Sequence, residues 1–451
     1  MVIDLVPVVD DGLGNSAYLV DLGDGRALAV DATRDLRRLR REAKARNLTV
    51  AYAAETHLHA DFLTGSIDLA AGGGRILASA AGNRQFAHQG LREGAEVDLG
   101  GLVLRALATP GHTEEHLSFL LLDGSRPVGV FTGGSLIVGA AARTDLVNPD
   151  RTEDLARAQW RSLQRLLTLP DDTGVWPTHG AGSFCSAPPG AERTSTIGRE
   201  RATNPLLSAG SEDAFVTQFL AGLGSFPTYF RRLGELNRRG PRPLTATPAL
   251  RQLSPEAVSR ALAADAQVVD VRPVEAYAAE HIPGALSIPL RGAFATWLGW
   301  TADPAAPLIV VRDDDQDPDE VIWQALKIGY ENLVGELAGG MSTWSAAGLP
   351  VRATELLTGD ALGGRALLDV RQRTEYTAGH IPTARNVELG RLAEGERPAV
   401  ADGTAVMCGH GERAMTAASL LERAGHNALA VVVGGPQDWA ERTGQSLATG
   451  P

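Results

Sequence analysis

The strongest constraint on the fold of this 451-residue chain is an internal repeat in its second half. Three short motifs occur twice in the same order, and each second copy follows the first by roughly 95 to 99 residues. The motifs are Asp-Val-Arg at 270–272 and 369–371, His-Ile-Pro at 281–283 and 380–382, and Gly-Gly-x-x-x-Trp at 339–344 and 434–439. A period of this length is the size of a domain, whereas solenoid repeats span about 20 to 50 residues. The sequence therefore predicts two similar domains.

The residues before the repeat are expected to form a separate domain, because a single core rarely grows beyond about 250 to 300 residues. Hydrophobic periodicity there predicts a pair of strands, a long helix and two shorter helical pieces, at 17–20 and 27–30, at 152–169, and within 212–245. The Gly-Pro-Arg-Pro-Leu run at 240–244 is typical of a linker. We therefore expect a multidomain chain of α/β and α+β type, with domains at 1–245, 246–352 and 353–451.

The composition excludes several classes of protein. With 42 basic and 54 acidic residues the formal net charge is −12, which disfavours nucleic acid and anionic membranes as partners. No run approaches the roughly 18 apolar residues of a membrane span, and the N-terminus lacks the features of a signal peptide. The two cysteines, Cys185 and Cys408, are too few for a disulfide framework. We therefore expect a cytoplasmic protein with single thiols.

Four histidines of the first domain follow predicted strands. His57 and His59 come directly after the apolar run 50–54, and residues two apart on an extended segment face the same side. His112 and His179 follow two further strand-like runs. A lone histidine is usually a satisfied core residue, but four imidazoles at strand exits predict a metal site.

This pattern resembles the metallo-β-lactamase superfamily, whose first motif is His-x-His-x-Asp-His. The resemblance implies a four-layered αβ/βα sandwich, with Asp61 at the motif's aspartate position. Two positions differ: Phe62 stands where the motif has its last histidine, and Gly134 stands where the superfamily has a bridging aspartate. A dinuclear zinc hydrolase needs both groups to hold its second ion. We therefore expect at most one metal ion per chain.

The repeated motifs of the second half look like those of rhodanese domains, which implies two parallel sheets covered by helices. In the second copy, Cys408 follows an apolar run and begins a six-residue loop before a helix. Backbone N–H groups at such a helix start stabilise a thiolate and the added sulfur of a persulfide. We therefore expect Cys408 to be the sulfurtransferase nucleophile, with an inert buried thiol as the alternative. The remaining loop residues are expected to bind the sulfur substrate, with Arg413 supplying positive charge: Gly409, His410, Gly411, Glu412 and Arg413.

The corresponding segment of the first copy, residues 308–320, differs in chemistry. It contains no cysteine, and six carboxylates lie where an anion would bind. Pro318 also limits how this loop can curl. We therefore expect the first copy to be an inactive spacer or docking domain.

The domain order resembles the persulfide dioxygenase–rhodanese fusions over essentially the whole chain. That resemblance implies one Fe(II), with zinc possible, that serves to oxidise a low-molecular-weight thiol persulfide with O₂ to sulfite. Sulfur transfer at the rhodanese cysteine then yields thiosulfate. The resemblance also implies a homo-oligomer, a role for Cys185 in presenting sulfur to the iron, and substrate binding by Arg143. The alternatives are an inert thiol at Cys185 and a structural ion pair of Arg143 with Asp145.

The iron ligands of that family match His57 and His112, whereas the third ligand, an aspartate, is replaced by Gly134. Three outcomes stay open. His59 completes a three-histidine site; or Asp61 or a water fills the gap and gives a weaker site; or the first domain binds metal poorly and serves as a sulfur-binding partner. Asp61 and His179 are expected to be weaker ligands or supporting residues. The alternative functions are a zinc-type thioester hydrolase, and a sulfur carrier with chemistry at Cys408 alone.

Overall fold

The computed structural model describes residues 3–185, 192–246 and 248–450. The chain divides into two compact units, which consist of Met1–Thr247 with Leu326–Gly329, and of Pro248–Ala325 with Tyr330–Pro451. Within the described ranges, no helix has the length and apolar character needed to cross a membrane.

The first unit is built on two six-stranded sheets. The strands of the first sheet, in their order across it, are Leu5–Asp10 (β1), Asn15–Asp21 (β2), Arg26–Val30 (β3), Thr49–Glu55 (β4), Arg75–Ser79 (β5) and Gln89–Leu91 (β6). The second sheet and a small hairpin (β11 with β12) contain Glu96–Asp98 (β7), Leu102–Ala108 (β8), Leu117–Asp123 (β9), Arg126–Gly133 (β10), Leu136–Ile137 (β11), Ala140–Ala141 (β12), Gly174–Pro177 (β13) and Ser195–Thr196 (β14). The order in the second sheet is β14-β13-β10-β9-β8-β7.

Six helices accompany the two sheets in the described part of this unit. They are Arg37–Ala45 (α1), Ser66–Ala71 (α2), Thr152–Leu166 (α3), Ile197–Thr203 (α4), Glu212–Ala221 (α5) and Phe230–Arg239 (α6), with 3-10 turns at Ala80–Gly82 and Pro149–Arg151. One buried apolar cluster contains residues of both sheets, such as Leu28 and Phe119. A second cluster joins α1 and α2 to the first sheet, and a third joins α3 and α5 to the second. These layers form the expected αβ/βα sandwich.

The predicted elements of this unit are confirmed. The strands β2 and β3 pair antiparallel, as expected around the intervening Gly-rich turn. The helix predicted at 152–169 is α3, which ends at Leu166 and is followed by a turn. Pro170 prevents the helix from resuming after that turn. Central strands such as β2 are buried along nearly their whole length, because a sheet lies on one face and helices on the other.

The second unit contains two five-stranded parallel sheets of identical topology. The strands of the first copy are Gln252–Leu253 (β15), Gln267–Asp270 (β16), Leu286–Ser287 (β17), Leu308–Val311 (β18) and Leu333–Leu337 (β19), in the order β15-β19-β18-β16-β17. Those of the second copy are Glu355–Leu357 (β20), Leu367–Asp369 (β21), Ala384–Asn386 (β22), Ala405–Met407 (β23) and Ala430–Val432 (β24), in the order β20-β24-β23-β21-β22. The matching orders confirm that the sequence repeat is a fold repeat.

Helices flank both sheets of the second unit. They are Pro255–Leu262 (α7), Val274–Ala279 (α8), Phe294–Thr301 (α9), Pro318–Leu326 (α10), Gly340–Ala346 (α11), Arg373–Ala378 (α12), Leu389–Ala393 (α13), Glu412–Arg423 (α14) and Pro436–Thr443 (α15), with a 3-10 turn at Gly359–Ala361. A single apolar cluster includes residues of both copies, such as Ile309 and Val406. The two copies therefore share one core.

The repeated motifs stabilise each copy in the same way. Arg272 binds the carboxylate of Asp270 through Nε and Nη2 and donates to the carbonyl of Glu280. Arg371 makes the equivalent bonds to Asp369 and to the carbonyl of Gly379. The histidine of each His-Ile-Pro motif stacks on a tyrosine, with ring centroids 3.9 Å and 3.8 Å apart: Tyr277 with His281 and Tyr376 with His380. These buried charges are fully hydrogen-bonded, so the motifs serve the fold.

Candidate metal centre and sulfur-transfer loop

The four predicted histidines meet at the ends of three strands of the first unit. His57 and His59 follow β4, His112 follows β8, and His179 follows β13. All four side chains are buried. The ring centroid of His57 lies 4.2 Å from that of His59, 4.8 Å from that of His112 and 5.3 Å from that of His179. The sandwich therefore brings together imidazoles that are far apart in sequence.

Asp31 and Thr56 fix the tautomers of the first two histidines. The Thr56 hydroxyl donates to Asp31 Oδ2 (2.7 Å), so its oxygen accepts the Nδ1–H of His57 (2.8 Å). His59 Nε2 lies 3.2 Å from Asp31 Oδ1 and donates to it. These bonds leave His57 Nε2 and His59 Nδ1 as free lone pairs. Such outer hydrogen bonds orient histidine ligands in metal sites.

The other two imidazoles are oriented in the same manner. His112 Nδ1 donates to the carbonyl of Arg143 (2.6 Å), and His179 Nδ1 donates to Asn15 Oδ1 (3.0 Å). Asn15 in turn donates to Asp61 Oδ2 (2.9 Å). Each of the four histidines therefore has one nitrogen bound to a protein acceptor, and its other nitrogen makes no hydrogen bond to an oxygen of the described residues.

The available nitrogens suit a metal ion. His57 Nε2 and His179 Nε2 lie 3.3 Å apart, about the separation of two imidazole ligands on one tetrahedral ion with bonds of about 2.0 to 2.1 Å. His59 Nδ1 is buried and has no hydrogen-bond partner among the described residues. The ligand atoms of His57, His59 and His179 all lie within 4.8 Å of one another. A buried polar atom without a partner is costly, and a cation would satisfy it.

A second group of ligand atoms contains Cys185. The ligand atoms of His112, His179 and Cys185 also lie within 4.8 Å of one another, and all three residues are buried. We expected His57, His59 and His112 as the ligand set, with His179 as a weaker member. In the structure His179 belongs to both groups, whereas His112 is grouped with Cys185. Tertiary packing decides this grouping, because the ligand residues lie on three separate loops, after β4, β8 and β13.

Phe62 and Gly134 occupy the two positions where a second ion would need ligands. The Phe62 ring stacks on His59, with centroids 4.2 Å apart. A Cβ atom on Gly134 would lie 2.2 Å from Cδ2 of His112. The His112 ring therefore fills the space in which an aspartate side chain would begin.

Two buried carboxylates flank the histidines. Asp31 was not identified from the sequence, since no motif surrounds it. Burial opposes its ionisation, but its electrostatic interaction with His59 and hydrogen bonds from His59, Thr178 and Thr56 lower its pKa to about 2. Asp61 was predicted as a weak ligand or a supporting residue. Its Oδ2 lies 3.3 Å from His179 Nδ1, and its Oδ1 has no described hydrogen-bond partner.

A fifth histidine, His116, was also missed by sequence reasoning. Its ring stacks on His57, with centroids 5.0 Å apart. However, the backbone N–H of Gly134 donates to His116 Nε2 (3.1 Å), and His116 Nδ1 donates to the Thr109 hydroxyl (2.9 Å). Both ring nitrogens are therefore satisfied, so His116 supports the cluster without an available lone pair.

Burial and mutual proximity set the protonation of the cluster. Burial, with the charges of neighbouring imidazoles, holds the pKa of His57 well below its usual value and lowers the pKa of His112 to about 3. Burial also opposes protonation of His179, but Cys185 and Asp61 outweigh it and raise the pKa of His179 well above its usual value. A metal cation bound through His179 Nε2 would replace the proton there.

Arg143 is enclosed by protein. Its guanidinium binds Asp145 through two contacts of 2.7 Å and donates to the carbonyl of Gly224 (2.8 Å). It also lies over the Phe226 ring, 4.4 Å from the centroid. The sequence left two roles open for this guanidinium, substrate binding and a structural ion pair with Asp145. The structure contains the ion pair.

In the second unit, Cys408 lies between the end of β23 and the start of α14 and is buried. The backbone N–H of Gly411 donates to its sulfur (3.1 Å). Gly411 has φ of 97°, a left-handed conformation that favours glycine and turns this N–H toward the thiol. The loop therefore has the geometry of a sulfur-binding turn at a helix start.

Glu412 and Arg413, which were expected in the loop, lie in the first turn of α14, and both are paired. Arg413 binds both oxygens of Glu375, at 2.6 Å and 2.8 Å, so much of its positive charge is already balanced. Glu412 forms an ion pair with Arg291 of the first copy. The loop is thus held from both sides.

In the first copy, β18 leads into an acidic loop without a thiol. Arg312 pairs with Glu336 and donates to the carbonyl of Gln316 (2.9 Å). The negative charge in this loop opposes anion binding.

Comparison with known proteins agrees with both folds. The rhodanese-like domain family matches residues 254–347 and 353–442. The human mitochondrial persulfide dioxygenase ETHE1 is 30% identical over 170 residues, which cover 37% of this chain and 60% of the human protein. Hydroxyacylglutathione hydrolase of Cereibacter sphaeroides is 30% identical over 233 residues, which cover 46% of this chain and 86% of that protein. The crystal structure of a metallo-β-lactamase from Staphylococcus aureus aligns with a TM-score of 0.63 and 28% identity, covering 74% of this chain and 99% of that chain.

A four-layered sandwich with histidines at its strand ends, followed by two rhodanese folds, defines a metallo-β-lactamase–rhodanese fusion. The chain belongs to the metallo-β-lactamase superfamily, and its first unit is homologous to persulfide dioxygenases.

Proposed function

We propose that the chain oxidises a low-molecular-weight thiol persulfide with O₂ and couples this reaction to sulfur transfer at Cys408. The homology to persulfide dioxygenases and the two rhodanese matches support a role in sulfur metabolism. The proposal rests on one observation: the positions at which a second metal ion would need ligands are occupied by other groups. Phe62 stacks on His59, and the His112 ring abuts Gly134. A site for one ion suits a mononuclear dioxygenase better than a dinuclear hydrolase.

We infer one Fe(II) per chain in the first unit. The residues that would hold it are His57, His59, His112 and His179, which are buried and each have one ring nitrogen that is not bound to a protein oxygen. When bound, iron would supply the activation of O₂ that protein side chains cannot provide. The side chains themselves orient the substrate and exclude water.

The proposed oxidation balances as R–S–SH plus O₂ plus H₂O giving R–SH, sulfite and two protons. The sulfur–sulfur bond breaks, the terminal sulfur loses four electrons to O₂, and the thiol leaves. Arg143 contributes through its backbone carbonyl, which orients His112. Cys185 lies beside His112 and His179, where a sulfur substrate would meet the cluster.

Sulfur transfer is assigned to the second unit. The Cys408 thiolate attacks the terminal sulfur of a second persulfide, which releases the thiol and leaves a Cys408 persulfide. Sulfite then attacks that outer sulfur, so that thiosulfate forms and the thiolate returns. The Gly411 N–H, 3.1 Å from Sγ, stabilises the anionic sulfur in both states.

The test is oxygen uptake with glutathione persulfide by protein loaded anaerobically with Fe(II), with the iron content measured. We expect uptake in proportion to iron, and its loss in His57→Ala. The matched control is His116→Gln, which removes a histidine from the same cluster that has no free nitrogen. Iron-loaded protein without persulfide-dependent uptake would contradict the proposal.

A thioester hydrolase is the second candidate, because a hydroxyacylglutathione hydrolase matches over most of its length. The positions at which a second ion would need ligands are filled, which disfavours a hydrolase that needs two ions. Zinc-loaded protein tested with an acylglutathione substrate separates the two activities.

A further inference from the structure

The imidazole cluster lacks an anionic ligand. The four histidines are buried, and a dication among neutral ligands in a dry site is poorly stabilised. Gly134 offers no carboxylate, and the adjoining His112 ring leaves no room for one. Among the described residues, four buried groups near the histidines can carry negative charge: Asp31, Glu55, Asp61 and Cys185. Glu55 forms an ion pair with Arg84.

Neither Asp31 nor Asp61 is placed to act as a ligand. Asp31 accepts from the Thr56 N–H (2.8 Å), the Thr56 hydroxyl (2.7 Å), the Thr178 hydroxyl and His59. It therefore lies on the outer side of His59. Asp61 accepts from Asn15 and approaches His179 at Nδ1, the nitrogen already bound to protein. Neither carboxylate belongs to a group of converging ligand atoms among the described residues.

Cys185 does belong to such a group. Its sulfur lies with the ligand nitrogens of His112 and His179, all within 4.8 Å of one another. Its position is fixed by the backbone: its N–H donates to the Ser183 hydroxyl (3.1 Å), and its carbonyl accepts from the Arg143 N–H (3.2 Å). The carbonyl of the same Arg143 holds His112. The backbone of Arg143 therefore positions His112 and Cys185 relative to each other.

We propose that Cys185 is a direct ligand of the metal ion in the first unit, together with His112 and His179, and that its thiolate replaces the carboxylate absent at Gly134. His179 has a single available nitrogen, so the two groups of ligand atoms serve one ion. A thiolate with two imidazoles suits borderline-soft divalent ions such as Fe(II), Co(II) and Zn(II). This inference deepens the proposed function, because it concerns the same site, but it does not depend on which reaction the ion serves.

Cobalt spectroscopy tests the ligand directly. The chain has two cysteines, so Cys408→Ser leaves Cys185 as its single thiol. We expect Co(II) added anaerobically to this variant to give an intense near-ultraviolet thiolate-to-cobalt charge-transfer band. The further change Cys185→Ser should abolish the band and weaken Co(II) binding by at least about tenfold, since even outer partners of ligands contribute about 10- to 100-fold. Far-ultraviolet circular dichroism checks that each variant is folded.

Cobalt binding to Cys408→Ser protein without this band would overturn the inference, and so would the absence of cobalt binding. The test for the band needs only the Cys408→Ser protein and no Cys185 variant. Oxygen uptake by iron-loaded protein is scored separately. If the charge-transfer band is present but the iron-loaded protein consumes no oxygen with persulfide, the proposed function is wrong and Cys185 is still a ligand.

Discussion

Restoring a carboxylate at position 134 should damage the metal centre. The Cβ of Gly134→Asp would lie 2.2 Å from Cδ2 and 2.7 Å from Cγ of His112. The His112 ring must therefore move by more than about 1 Å to regain ordinary carbon contacts of about 3.5 Å. That movement breaks the 2.6 Å bond from His112 Nδ1 to the Arg143 carbonyl.

The expected loss of stability follows from the steric clash and from the broken hydrogen bond. Overpacking a tight core costs about 1 to 3 kcal/mol, and a lost buried hydrogen bond costs about 1 to 3 kcal/mol more. We expect Gly134→Asp to lower the free energy of unfolding by about 2 to 6 kcal/mol, and to lower iron occupancy because His112 is displaced. Urea unfolding and metal analysis after anaerobic loading with Fe(II) measure both quantities.

The matched control is Gly134→Ala, which adds the same Cβ without a carboxylate. Both variants should lose stability and iron to a similar degree, since the Cβ causes the clash. If Gly134→Asp is as stable as the parent and binds more iron, the parent site is a dioxygenase site that lacks only its carboxylate. The steric reasoning would then be refuted.

Three further predictions concern both units. Cys408→Ser should abolish thiosulfate-dependent sulfur transfer and leave oxygen uptake largely intact. Because the first copy has no thiol, normal transfer in this variant would refute the assignment of Cys408 as the nucleophile. Fully loaded protein should contain no more than one tightly bound metal ion per chain by elemental analysis, and two zinc ions would contradict the filled second-ion positions. Arg291→Ala should lower the turnover of sulfur transfer several-fold by freeing Glu412, with a loss of stability below about 1 kcal/mol because the ion pair is partly exposed. Arg391→Ala, which removes another exposed ion pair of the same unit, is its control, and equal effects would dismiss a special role for Arg291.

Much of the architecture follows from local patterns. The repeated motifs predict two similar domains because each motif stabilises one copy through contacts at short range, as between Asp270 and Arg272. Cys408 is likewise identifiable, since strand, thiol and helix start are contiguous in sequence.

The detailed ligand grouping is beyond such patterns. Whether His112 or His179 joins His57 depends on how separate loops pack, and a shift of about one ångström changes the set. Asp31 carries no motif, although its contacts fix two histidines. The satisfied state of His116 depends on the Thr109 hydroxyl and on the backbone N–H of Gly134, which lies 18 residues away. The pair of Arg291 with Glu412 exists only because the two copies share a core.

The most direct test of the proposed function is the ratio of O₂ consumed to sulfite formed. It should be measured with glutathione persulfide and iron-loaded Cys408→Ser protein, because this variant cannot convert sulfite into thiosulfate at Cys408. The proposed reaction predicts one O₂ per sulfite, at a rate proportional to iron content. No oxygen uptake by protein that holds one iron per chain, or uptake without sulfite, would contradict it.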